Sequence, residues 1–133
     1  MKRIVMVSIL VGMLILTACS QNIPLELREN LANCLVEKGV EEYGAFWCPS
    51  CAQQEKKFGE AHKILRENGV YKECDPRCVK DQLPAACRGV KGIPEECLEK
   101  GIEKYPTWIF PDNGQVVGVL ELDELAQKAG CSI

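Results

Sequence analysis

The sequence predicts one α/β domain, a mixed sheet flanked by helices and carrying a disulfide-rich insertion. Three observations predict it. Two short strand-like stretches, residues 40–46 and 70–74, are separated by a long stretch of helical periodicity, and strands joined by a helical crossover lie parallel. A later pair of runs, 107–110 and 115–119, flanks Asp112-Asn113-Gly114, a hairpin turn that makes its strands antiparallel. Between the two pairs lies an irregular segment with prolines, glycines and two cysteines. The 133 residues suit a single domain.

The chain opens Met1-Lys2-Arg3 and continues apolar from residue 4 to residue 16, then reads Leu16-Thr17-Ala18-Cys19. A basic start, a short apolar core and a small residue before the cut describe a signal peptide. The run is too short to span a bilayer comfortably. Leu-Thr-Ala-Cys resembles the bacterial lipobox, in which the cysteine is lipidated and becomes the mature N-terminus. The expected organisation is a lipoprotein signal peptide over 1–18, a polar tether over 19–23 and one folded domain over 24–133. Export and a lipid anchor on Cys19 would hold it at the extracytoplasmic or periplasmic face of a membrane.

A first helix starts at Pro24, suited to a first turn. Leu27, Leu31, Cys34 and Leu35 form its apolar stripe, and Gly39 ends it. Residues 40–46 read as the first strand. A second helix is expected from Pro49 to about residue 68, with Ala52, Phe58, Ala61, Ile64 and Leu65 on its buried side and Asn68-Gly69 as its stop. His62, the only histidine, lies eleven residues beyond Cys51 and is expected at the surface. Residues 70–74 form a second strand. In residues 75–94, Pro76, Pro84, Pro94, Gly89 and Gly92 break any period; this reads as a loop insertion, with a helical turn near Ala85. A short helix over 95–100 ends at Gly101, the hairpin follows, and Leu122, Leu125, Ala126 and Ala129 mark a last helix ended by Gly130.

Charge and cysteine usage narrow the chemistry. Without Lys2 and Arg3, 14 basic side chains face 19 acidic ones, so the formal charge falls from −3 to −5. Nothing basic is clustered, so nucleic acid is not expected as a partner. Nine cysteines are many for this length, as in exported proteins. With Cys19 set aside for lipid, eight remain, an even number that four disulfides would use.

Tyr43-Gly44-Ala45-Phe46-Trp47-Cys48-Pro49-Ser50-Cys51 reads as a buried strand running into a Cys-x-x-Cys at a helix start. Unpaired N–H groups and the helix dipole favour negative charge there. Cys48 is therefore read as the thiolate nucleophile and Cys51 as the thiol that resolves the mixed disulfide. The competing readings are one more stabilising disulfide, or half of a zinc site completed by Cys74 and Cys78. The strand and Trp47 ahead of the pair favour redox chemistry. No metal, nucleotide or other cofactor motif is present, and no hydrolase nucleophile set.

Trp47-Cys48-Pro49-Ser50-Cys51 with Tyr105-Pro106-Thr107 resembles the thioredoxin superfamily. The finer likeness is to the thioredoxin-like domain of bacterial and plant homologues of vitamin K epoxide reductase. It is carried by residues 43–48, Phe58-Gly59, Tyr71-Lys72-Glu73-Cys74, Gly101-Ile102, Tyr105-Pro106-Thr107-Trp108, Gly118 and the closing Leu122, Leu125-Ala126 and Gly130. The sequence departs from that family in its Pro-Ser dipeptide, in a longer loop between Cys74 and Cys97, and in having no membrane-embedded reductase domain. The resemblance implies a thioredoxin fold and a thiol-disulfide oxidoreductase acting on protein thiols and disulfides, with a vitamin K epoxide reductase-like membrane protein as partner in disulfide formation. It implies a cis Pro106 beside the cysteines, Trp47 and Tyr105 on the client, and Glu42 relaying protons to the second cysteine. A solvated strand-end carboxylate beside Glu41 is the alternative for Glu42. It also suggests Cys74 with Cys97, then Cys78 with Cys87 closing the insertion and Cys34 with Cys131 tying the first helix to the C-terminus. With 48–51 set apart, six cysteines still allow 15 connectivities. A disulfide reductase or isomerase, for example in cytochrome maturation, and a non-catalytic binding module are the other functional readings.

Overall fold

A computed structural model describes residues 22–133. The expected signal peptide, Cys19 and the tether up to residue 21 lie outside the described residues. Helix α1, Leu25–Lys38, leads into strand β1, Glu41–Gly44. Gly39 makes the turn at φ 68°, and its N–H returns to the Leu35 and Val36 carbonyls. That left-handed position favours glycine. The strand is shorter than the expected 40–46 because both ends are spoken for. Val40 N–H bonds back to Leu35, and the Ala45 carbonyl accepts from Cys48.

Helix α2, Pro49–Phe58, and helix α3, His62–Glu67, replace the single second helix expected from periodicity. Gly59 (φ 58°, ψ −132°) breaks it, and one 3-10 turn, Gly59–Ala61, rejoins the two pieces. The Phe58 carbonyl freed by the break accepts from the Arg28 guanidinium of α1 at 3.2 Å. A side chain at position 59 would collide with that same guanidinium. Strand β2 follows, Tyr71–Glu73. The insertion holds two 3-10 turns, Pro76–Val79 and Ala85–Cys87, before helix α4, Pro94–Glu99. Strands β3, Thr107–Ile109, and β4, Gln115–Val117, make the hairpin, and α5, Leu122–Ala129, closes the domain.

The sheet order is β2-β1-β3-β4, with β1 parallel to β2 and antiparallel to β3. The larger core lies between the sheet and α1, α3 and α5, around Leu31, Leu35, Phe58, Leu65, Trp108 and Leu125. A smaller one, Tyr43, Cys74, Cys97, Ile102 and Ile109, packs the opposite face against α4. Alternation along β1 sends Tyr43 to this second face and leaves Glu42 and Gly44 on the first. These elements and pairings make a thioredoxin-like α/β fold. Three disulfides staple it: Cys34–Cys131, Cys74–Cys97 and Cys78–Cys87, with Cα separations of 6.1, 5.9 and 5.8 Å. Among the described residues no helix is long and apolar enough to cross a membrane.

Candidate active site

Cys48 and Cys51 are the two free cysteines among the described residues. Cys48 is the N-cap residue of α2, extended at φ −75° and ψ 122°, with Pro49 in the first turn. Its position faces helix N–H groups that have no intrahelical partner. Cys48 Sγ also lies 3.5 Å from the Tyr105 carbonyl oxygen, and the Tyr105–Pro106 peptide is cis. The sulfurs are tucked in, Cys48 8% and Cys51 7% exposed, while Trp47 beside them is 54% exposed.

The two cysteines have different surroundings. Cys51 lies over Gly44: a Cβ there would come within 3.0 Å of Cys51 Sγ and 2.9 Å of the Tyr71 ring. Burial pushes the Cys51 thiol well up, and the nearby Cys48 and Glu42 charges add to it; a backbone hydrogen bond at Ala45 works the other way. Cys51 is thus held as a thiol that needs a base before it can attack. Cys48 instead sits at the N-cap of α2, against helix N–H groups that lack intrahelical partners.

Trp47 is pinned by the insertion. Its indole N–H donates to Asp75 Oδ2 at 2.6 Å, and its ring meets Tyr105 edge-on at 6.2 Å. Asp75 is buried and accepts three bonds from Arg77, at 2.8 Å from the backbone and at 3.0 and 2.9 Å from the guanidinium. That guanidinium stacks over Phe46, 4.8 Å from its centroid. Sequence reasoning missed Asp75 and Arg77. The available signal was Asp75-Pro76, an N-cap and first-turn pair, taken only as a break in periodicity.

The Arg77 guanidinium holds the Asp75 carboxyl well below the usual carboxylate range. A depressed folded pKa contributes stability that is present above the unfolded value of about 4 and is lost as pH falls through the folded one. Asp75→Ala should therefore destabilise the domain at neutral pH by about 1.5–3 kcal/mol, the worth of a hydrogen bond to a charged group. It should also flatten the acid limb of stability below pH ~4 and red-shift Trp47 fluorescence. Unchanged emission would mean that Asp75 does not hold the indole.

Behind Cys51 lies a buried polar cluster. Glu42 is fully buried on β1, not a solvated strand end. Oε2 of Glu42 is 3.3 Å from His62 Nε2, and Oε1 has no hydrogen-bonding partner among the described residues. His62, expected at the surface, is 2% exposed. Its distance along the helix from Cys51 says nothing about which face it takes. It stands four residues past Phe58 and three before Leu65, on the same buried side. Tyr71 donates to Glu73 at 2.9 Å, the second buried carboxyl of the cluster. The four sulfurs of the alternative zinc set are divided, Cys48 and Cys51 free, Cys74 and Cys78 bridged to Cys97 and Cys87. A cleft between the start of α1 and the start of α5 is lined by neither free cysteine.

No protein-family model matches the chain. The chain is 40% identical over 104 residues to the thiol-disulfide oxidoreductase LTO1 of Arabidopsis thaliana, an alignment covering 77% of this chain and 24% of that protein. The chain thus spans about a quarter of that relative's length.

Proposed function

From a likeness that supports a thiol-disulfide oxidoreductase family for this chain, we propose that it exchanges disulfides with exported protein clients through Cys48 and Cys51. The single observation that carries the reading is a free dithiol split between a helix N-cap and a buried first turn. In the oxidising direction a client thiolate attacks Cys48 of the Cys48–Cys51 disulfide and Cys51 leaves as a thiolate. The client's second thiolate then attacks its own sulfur in the mixed disulfide, Cys48 leaves, and the client carries the new bond. Run backwards, Cys48 attacks a client disulfide and Cys51 resolves the mixed species. Trp47 and Tyr105 form the rim the client meets, with the backbone before Pro106 alongside it. Glu42 takes the Cys51 proton during resolution and returns it in the reverse step.

The rest of the reading concerns address and partner. Electrons taken from clients pass on to a vitamin K epoxide reductase-like membrane protein, and a lipid on Cys19 keeps this chain at that membrane. A lipid-precursor label should enter the native protein and not Cys19→Ala; equal labelling of the two would sink the anchor. The direction of flow is tested by equilibrating the Cys48–Cys51 couple with glutathione. A potential between about −120 and −180 mV fits an oxidant or isomerase, and one near −270 mV a reductant. A pair that exchanges with no reduced or oxidised peptide would leave only a binding module with this fold.

A further inference from the structure

A fully buried carboxyl group lies near the dithiol and is itself held from behind. Glu42 and Gly44 share a face of β1, Cys51 lies over Gly44, and the Glu42 charge acts on Cys51. Of the two Glu42 oxygens, Oε2 meets His62 Nε2 while Oε1 has no hydrogen-bonding partner among the described residues. His62 in turn has its Nδ1 2.9 Å from Arg66 Nη1. A guanidinium can only donate, so Nδ1 accepts. The ring hydrogen must then sit on Nε2 and point at the Glu42 carboxylate. Arg66 is itself anchored by Glu55 at 3.2 Å, and Glu55 also pairs with Arg88 of the insertion. The row runs from the half-buried outer edge of α2 and α3 inward to a carboxylate beside Cys51.

We infer that His62 is a positioning residue for the Cys51 half-reaction: locked as a donor by Arg66, it occupies Glu42 Oε2, orients the buried carboxyl group and leaves Oε1 as the base. This rests on the oxidoreductase reading and on Glu42 as the proton acceptor. The step balances. The Cys51 proton goes to Oε1, the Cys51 sulfur bonds to Cys48 Sγ, the Cys48–client bond breaks, and the client sulfur leaves with the electron pair. A hydrogen bond donated to a carboxylate favours the form that can accept a proton, and His62 is placed to donate one. The groups facing Glu42 are His62 from α3, Cys51 from α2, and Tyr71 with Glu73 bonded to it from β2. Its cross-strand neighbour on β3 is Trp108, whose buried indole N–H also lacks a partner among the described residues. Of these, His62 is the one seen donating to the carboxylate.

The test separates the two half-reactions in a single turnover with a mixed-disulfide-forming peptide. One rate constant follows attack by Cys48, the other release of the peptide by Cys51, each across pH. His62→Leu should leave the first unchanged, slow the second about tenfold at pH 7, and move its rise toward higher pH by roughly one unit. His62→Gln, whose amide N–H can reach the same oxygen, should recover most of the rate and the profile. Should the leucine variant not fold, His62→Asn serves, because its shorter amide can meet Arg66 but stops short of Glu42. Wild-type resolution in His62→Leu or His62→Asn, with Glu42→Gln slow, would overturn the role of His62 alone. Wild-type resolution in Glu42→Gln would remove the relay on which it rests, and no exchange by the native protein would remove the oxidoreductase reading itself.

Discussion

Replacing Cys48 by serine should abolish disulfide exchange, whereas Cys51→Ser should accumulate stable mixed disulfides between Cys48 and its clients. The asymmetry follows from the two environments. Cys48 stands at the N-cap of α2, beside the exposed Trp47 and 3.5 Å from the Tyr105 carbonyl oxygen. Cys51 is turned inward over Gly44, with burial holding its thiol protonated. The first cysteine meets the client and the second can reach only the first. A serine hydroxyl at 48 offers no sulfur to bond, so the loss should be complete, not partial. A serine at 51 leaves the first step intact and removes the group that ends it. Non-reducing gels of the two variants after exposure to oxidised peptide or extract decide the point. Adducts on Cys48→Ser in place of Cys51→Ser would reverse the roles. The disulfide-bonded cysteines provide the control. Under mild reductant Cys48 and Cys51 should react before the Cys74–Cys97 and Cys78–Cys87 bridges, whose four cysteines are deeply buried.

Removing the Cys34–Cys131 bridge should give the largest loss of stability of any single-bridge deletion. It joins residues 97 apart, against 23 for Cys74–Cys97 and 9 for Cys78–Cys87. A cross-link closing about 100 residues removes roughly 4.7 kcal/mol of unfolded-chain entropy, and one closing about 15 residues roughly 3. A small domain has only about 5–15 kcal/mol of stability in all, so Cys34→Ala/Cys131→Ala should be close to unfolding in mild denaturant. Cys78→Ala/Cys87→Ala should lose least and should show its effect locally, around Asp75 and the Trp47 it holds. Urea titrations of the three double variants give the ranking. A Cys78–Cys87 deletion that cost more than the Cys34–Cys131 deletion would show that native packing in the insertion, not chain entropy, sets the order.

Much of the architecture was legible because it depends on neighbours in the chain. Pro24 and Gly39 bracket α1, Gly130 ends α5, and Asp112-Asn113-Gly114 turns the hairpin. Each signal is local chemistry: a fixed φ, a permitted left-handed turn, or a side chain that caps its own backbone. The break at Gly59 was not legible in this way. Periodicity on either side is compatible with one helix, and the interruption is stabilised by Arg28, 30 residues earlier. His62 is a different case: its burial is legible locally, because the buried Phe58 and Leu65 on the same side of the helix mark its face.

What the sequence by itself determined is the dithiol at a helix start, the order of strands and helices, and an acid six residues ahead of Cys48. These need only spacing, because a Cys-x-x-Cys, a turn and an alternating strand are complete within about ten residues. Tertiary structure alone decided what surrounds the dithiol. Glu42 meets His62 across 20 residues, Trp47 meets Asp75 across 28, and Cys48 meets the Tyr105 carbonyl across 57. The choice of three bridges among the 15 ways to pair six cysteines belongs there too, since it is made by Cα separations near 6 Å. The physical reason is common to all of them. Contacts between distant segments are set by how strands pair and how helix faces rotate onto the sheet, and a buried polar group takes whichever partner that packing brings within reach.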